Sequence, residues 1–194
     1  MPRSTDVKAR VEKAATALFA ANGVDGVSIG DIATVAGVSQ GALYRHYPSK
    51  EDLAWSLFST AYLRTGAELD QIRARGPDLR ARLGDMVGHF CTLYDRDPAL
   101  FRFMLIAQHG FLPRIPPVRR TPVDAVADAI AEAVRIGEIA AVDPTVAAAA
   151  IIGIVLQTAV FHIYGRLRGA LSARAPSLAR AALAAVAALG QAKP

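Results

Sequence analysis

A chain of 194 residues is long for one small domain and short for two large ones, so a small module joined to a larger one is expected. Hydrophobic residues make up 53% and charged residues 20%, alanine is abundant and Val-Ile-Thr runs are scarce, which excludes disorder and favours packed helices over sheets. The formal charge of +5 is diffuse, with six Lys/Arg against four Asp/Glu over residues 1–50 and sixteen against thirteen beyond, so net charge alone argues for no nucleic-acid partner. Cys91 is the only cysteine and the opening MPRSTDVKARVEK lacks the apolar core of a signal peptide, so a reducing, cytoplasmic setting is expected.

In chain order, Val7, Val11, Ala14, Ala15 and Leu18 recur at helical spacing after a capping candidate at Ser4 or Thr5, and Asn22-Gly23 supplies a left-handed stop near residue 22. Ser28-Ile29-Gly30-Asp31 is a capping box that opens a second helix over 29–36, with Ile32, Val35 and Ala36 expected as its inner face and Gly37 as its end. Ser39 caps a third helix that Pro48 must close, and Ser49 with Asp52 caps a fourth that runs to about residue 74 through Leu53, Leu57, Phe58, Ala61, Tyr62, Leu69 and Ile72. After Gly76-Pro77, Leu79, Leu83, Met86, Val87, Phe90 and Tyr94 mark a fifth helix, and Asp97-Pro98 opens a sixth that ends near Gly110. Pro113 to Pro122 reads as an irregular loop. Thr121 starts a seventh helix through Val126, Ile130 and Val134, Asp143-Pro144 starts a long apolar eighth, and Pro176-Ser177 starts a ninth with Leu178, Ala182, Val186 and Leu189 inward. No period of two persists anywhere, so the fold class is all-α.

The second and third helices are joined by Gly37-Val38-Ser39, a tight turn with glycine at its start, which is the spacing of a helix-turn-helix. In that arrangement the second helix of the pair is offered to the DNA major groove. Leu43 and Tyr47, four apart, are expected to face inward, leaving Gln40, Gly41, Tyr44 and Arg45 outward with Ser39 at the amino end. Gln40 can donate and accept at an adenine edge, Arg45 can reach guanine or phosphate, Gly41 removes bulk where a backbone must come close, and Tyr44 can meet a thymine methyl or a phosphate. Ser28, His46 and Lys50 suit phosphate contacts that position without specifying sequence.

The stretch VSIGDIATVAGVSQGALYRHYPSKEDL resembles the signature of the TetR family of bacterial transcriptional regulators, from about Val11 to Leu57, in the order Gly37-Val38-Ser39, Gly41, Leu43-Tyr44, His46-Tyr47 and Ser49-Lys50-Glu51. The resemblance implies a nine-helix, homodimeric protein with a helix-turn-helix DNA-binding domain at 1–49 and an effector-binding and dimerisation domain at 50–194. It further implies that a small molecule bound by the C-terminal domain releases the protein from a palindromic operator; the expected mechanism is that an effector among helices four to eight tilts helix four and changes the spacing of the two reading heads. The positions matching the family's DNA contacts are Ser28, Ser39, Gln40, Gly41, Tyr44, Arg45, His46 and Lys50. Ile29 stands where many relatives carry a hydroxyl and Gly30 where some carry a base-contacting arginine, so base readout rests mostly on the third helix.

A family-like pocket draws its walls from aromatic and polar residues of the larger domain: Trp55, Phe58, Tyr62, His89, Phe90, Tyr94, Phe101, Met104, His109, Gln157 and Phe161. A hydrophobic effector fits that set, and no cofactor is expected. His89 and Cys91, two apart on a helix, cannot readily share a metal, and no nucleophile-base-acid order stands out, so neither metal binding nor enzyme activity is expected. Pro144 to Gly165 carries no Asp, Glu, Lys or Arg; a buried or interface helix accounts for it better than a membrane span, because Gln157, Thr158 and His162 would sit in lipid. Its small residues Ala147 to Ala150 and Gly153, with the alanine-rich ninth helix, suit a two-fold four-helix dimer interface, which would set the two reading helices about 34 Å apart. Two rival readings are a small-molecule binder whose helix-turn-helix no longer reads DNA and a membrane-anchored protein; activation of transcription instead of repression is open too.

Overall fold

The computed structural model describes residues 4–191, and these form nine α-helices and two short 3₁₀ turns with no strand among the described residues. The helices are α1 (Ser4–Asn22), α2 (Ile29–Ala36), α3 (Gln40–Tyr44), α4 (Lys50–Arg75), α5 (Leu79–Arg96), α6 (Pro98–Phe111), α7 (Pro122–Arg135), α8 (Pro144–Ile163) and α9 (Ala175–Gln191). The side chains of Ser4 and Thr5, expected to cap α1, lie outside the described residues. Most boundaries follow from local chemistry. Ser28, Ser39, Asp97, Thr121 and Asp143 each accept a backbone N–H of the first turn of their helix, and proline sits at the start of α6, α7 and α8, where no donor is needed. The expected irregular loop after α6 begins with a 3₁₀ turn at Leu112–Arg114, and a second such turn at Ser172–Arg174 precedes α9, which starts one residue earlier than Pro176.

The chain forms two compact units. The first comprises Met1–Tyr62 with Asp97–Pro117, the second Leu63–Arg96 with Val118–Pro194. The expected boundary at 49/50 falls at the start of α4, whereas the units part within that helix and α6 joins the first. In the first unit α1 packs on α2, α3 and α6 around a core of Val11, Ala15, Phe19, Ile32, Ala33, Leu43, Phe58 and Phe103. Val35 does not belong to the inner face expected for α2: it is 61% exposed, and Ala33 is buried instead. Over eight residues the face covered by α1 holds positions 32, 33 and 36, and Val35 falls on the flank.

In the second unit α5 is covered by α7, α8 and α9, and α8 lies between α7 and α9. Leu79, Leu83, Met86, Val87, Phe90 and Tyr94 are buried as their spacing predicts, and so are Val126, Ile130, Ala182 and Val186. The apolar α8 is not buried all round by its own chain. Ala147, Ala148, Ile151, Val155 and Ala159 face inward, whereas Val146, Ala149, Gly153, Gln157 and Phe161 form an exposed stripe. By length and composition α8 is the one helix among the described residues that could cross a membrane.

Candidate nucleic-acid interface

The turn between α2 and α3 is built by two glycine-dependent events. Gly37 sits at φ 63°, ψ 42°, the left-handed conformation that closes a helix, and its N–H and that of Val38 reach Thr34 O (3.1 Å) and Ala33 O (3.0 Å). Arg10 from α1 then donates to the carbonyls of Ala36 and, at 2.6 Å, of Gly37, placing a cation at the negative end of α2. A Cβ on Gly37 would lie 2.7 Å from the Arg10 guanidinium, so a side chain there would push that end of Arg10 aside, in addition to straining the left-handed backbone. Sequence periodicity missed Arg10 because its partners lie a whole helix away; a cation on a flank of α1 was the only available sign.

The third helix is held from beneath. Leu43 is fully buried, and Tyr47 is buried while its hydroxyl donates to Glu12 Oε1 at 2.6 Å. Burial, followed by the hydrogen bond and charge of Glu12, pushes the Tyr47 phenol up, so it stays a donor throughout the ordinary pH range. Ser39, Gln40, Gly41, Tyr44 and Arg45 are exposed on the opposite side, and His46 and Lys50 are half-buried beside them. A Cβ on Gly41 would meet nothing within 4 Å. Nothing inside the chain therefore requires a helix-weakening glycine there, whereas the close approach of an external backbone would.

Beside this face an open groove of about 660 Å³ brings together Ser28, Tyr44, Ser49 and Lys50 at the amino ends of α2 and α4. Amide groups at helix starts favour anions. The hydroxyls expected to help are engaged, however: Ser28 Oγ donates to Asp31 Oδ2 at 2.7 Å and accepts from Asp31 N at 3.1 Å. The hydrogen bonds from Ser28 hold the Asp31 carboxyl below the usual range, so the charge beside the helix start is firmly negative. Lys50 Nζ lies 3.9 Å from Glu51 Oε1; a pair of this kind is worth only about 0–1 kcal/mol and yields readily to a phosphate.

Residues 13–56 match the family described as bacterial regulatory proteins, tetR family. Over this segment the chain is similar to the DNA-binding part of that family. Among similar curated proteins, one named as a putative mycofactocin biosynthesis transcriptional regulator, MftR of Mycobacterium tuberculosis, is 40% identical over 65 residues, 34% of this chain and 33% of that protein. The HTH-type transcriptional repressor KstR of the same organism is 32% identical over 95 residues, 49% of this chain and 43% of that protein. The chain thus spans a third to less than half of the length of these curated relatives. In fold, the chain is similar over nearly its whole length to the transcriptional regulator FadR from Bacillus subtilis, solved in complex with stearoyl-CoA, with a TM-score of 0.73 at 18% identity, covering 91% of this chain and 98% of that one.

The expected pocket residues fall into both units. Trp55, Phe58, Tyr62, Phe101, Met104 and His109 belong to the first, and His89, Phe90, Tyr94, Gln157 and Phe161 to the second. Trp55, Phe58 and Tyr62 cluster with Phe111, and the Arg114 guanidinium lies 4.5 Å over the Trp55 ring. Tyr94 Oη lies 3.4 Å from His162 Nδ1, and His89 Nε2 approaches Glu68 Oε2 at 3.2 Å without hydrogen-bond alignment. His109 is exposed, and Gln157 and Phe161 stand on the open stripe of α8. Cys91 is buried, which pushes its thiol up to about 11 and leaves it inert as a nucleophile or ligand at neutral pH.

Proposed function

We propose that the protein is a ligand-responsive, sequence-specific DNA-binding transcriptional regulator, a repressor that a small-molecule effector releases from a palindromic operator. The observation that carries this reading is the division of α3 and the turn that follows it: Leu43 and Tyr47 anchor the segment inward while Gln40, Gly41, Tyr44 and Arg45 stand exposed with open space at Gly41. Residues 1–49 serve as the reading domain and 50–194 as the effector and dimerisation domain. Ser28, Ser39, His46 and Lys50 serve the phosphates beside that face, with the amides at the starts of α2 and α4.

Dimerisation through α8 and α9 is supported by two adjoining outward stripes, Val146, Ala149, Gly153, Gln157 and Phe161 on α8 and Ala181, Ala184 and Ala188 on α9. Apolar and small residues at such spacing suit a two-fold four-helix interface, which would cover α8 without lipid. Gln157 and Phe161 then serve the interface, and the remaining aromatics the effector. A hydrophobic effector is the reading, and acyl-CoA thioesters are the first to test because FadR was solved with one. Release requires the effector to bind the non-reading conformation more tightly, by about 1–3 kcal/mol for a typical coupling. The protein is expected to work as a non-enzymatic regulator in the cytoplasm, on the nucleoid when bound.

Selection of bound fragments from random duplex DNA tests the reading. It should enrich a palindrome, and Tyr44→Ala or Arg45→Ala should weaken binding to it about ten-fold or more while the dimer stays intact by sedimentation. Absence of any enriched palindrome would favour a protein that binds small molecules without reading DNA.

A further inference from the structure

Gly30 is the second residue of α2 and has no positive φ, so its backbone conformation suits any residue, and a glycine inside a helix is a destabilising choice. Its surroundings supply a reason. A Cβ placed on Gly30 would lie 3.3 Å from Gln40 Nε2 and 3.5 Å from Ser28 Oγ. The carboxamide of Gln40, the first residue of α3 and exposed, therefore lies back over the first turn of α2 in the space that the missing side chain leaves. Gly30 and Gly41 differ in kind: the first is open to a side chain of its own chain, the second to solvent alone.

We infer that Gly30 is a positioning residue for base readout, setting through its missing side chain the reach and orientation of the Gln40 carboxamide; this rests on the DNA-reading function proposed above. Any side chain at position 30 displaces the amide from the start of α2. A carboxamide pairs with a base edge through one donor and one acceptor in fixed relation, so pushing the amide off this seat lengthens or misaligns that pair of hydrogen bonds and weakens the preference it carries. The effect is confined to the base pair that Gln40 faces, because Tyr44 at the end of α3 and Arg45 just after it come within 4 Å of no Cβ placed on Gly30.

The test is selection from random duplex DNA with four full-length proteins: wild type, Gly30→Thr, Gln40→Ala and the double variant, with Gly30→Ala as a milder change that also favours helix. Gly30→Thr is expected to alter preference at one base pair of each half-site by about ten-fold and to leave the rest of the palindrome as it is. Gly30→Ala should alter the same pair by less, and the double variant should match Gln40→Ala. Thermal unfolding of each variant confirms that it folds, and Gly30→Ala carries the test if Gly30→Thr does not. A wild-type motif unchanged by either substitution at position 30, or a change that persists without Gln40, would overturn the inference while leaving DNA reading intact. A wild-type protein that selects no palindrome would overturn both, so the two failures are told apart.

Discussion

At the scale of single residues, three glycines on helices or their ends carry opposite consequences for the same substitution. Gly37 is fixed by its left-handed backbone. Gly66 lies inside α4 where the chain entering α7 crosses, and a Cβ there would stand 2.8 Å from Arg120 O and 2.9 Å from Thr121 C, both backbone atoms. Because backbone cannot swing aside as a side chain can, Gly66→Ala should destabilise by about 1–3 kcal/mol despite the better helix propensity of alanine. Gly41→Ala meets no neighbour and should stabilise by roughly 0.5–1 kcal/mol while weakening operator binding. Urea unfolding paired with a gel-shift titration checks both, and a Gly41→Ala protein that binds DNA as wild type would remove the close-approach role of that residue.

At the scale of elements, α3 and α8 show how much of a helix depends on what covers it. Five residues are too few to form a stable helix alone, since nucleation is unfavourable and isolated helices need about 12–15 residues. Its existence rests on the Ser39 cap, the Gly37 turn and the burial of Leu43, so Leu43→Ala should cost about 2–5 kcal/mol and abolish DNA binding with it. For α8 the apolar residues exceed what α7 and α9 cover, and the exposed stripe leaves open space at Gly153. Gly153→Arg meets nothing within its own chain, so the secondary structure by circular dichroism should persist while sedimentation shows dissociation to a monomer. A variant that stays dimeric would move the interface away from α8.

At the scale of the whole molecule, stability should depend on pH through groups that charge differently in the folded and unfolded chain. Burial holds His89 below its usual value of 6.5; Glu68 pulls the other way, and the cations of Arg96 and Arg64 add to the lowering. The folded state thus resists a proton that the unfolded state accepts. The His89 contribution is fully present above pH 6.5 and is lost as pH falls from there through the lower folded value. Asp70 behaves alike at more acid pH: the hydrogen bond from Arg120, at 2.8 Å, keeps its carboxyl below 3.8, so its contribution is lost only as pH falls below that. Unfolding midpoints measured between pH 7.5 and 5 should fall, and His89→Gln should flatten that fall. An unchanged slope in His89→Gln would place the acid sensitivity elsewhere.

The amino-acid sequence by itself determined the helices and their ends, because a cap, a capping box or a left-handed glycine acts over three or four residues and is legible in the chain. It also sorted the short third helix into an inner and an outer face, since Leu43 and Tyr47 sit four apart with polar types between them. Only the tertiary structure decided which apolar faces the chain itself covers. Val35 and one stripe of α8 are as apolar as their buried neighbours, yet the described residues leave them largely exposed. It alone decided that Phe19 packs at a tilt against Phe103, 5.6 Å between ring centres, that Arg10 closes the turn before α3, and that Gln40 lies over Gly30. Periodicity reports the direction in which a side chain leaves its own helix, whereas these contacts depend on what another helix, distant in sequence, brings to meet it.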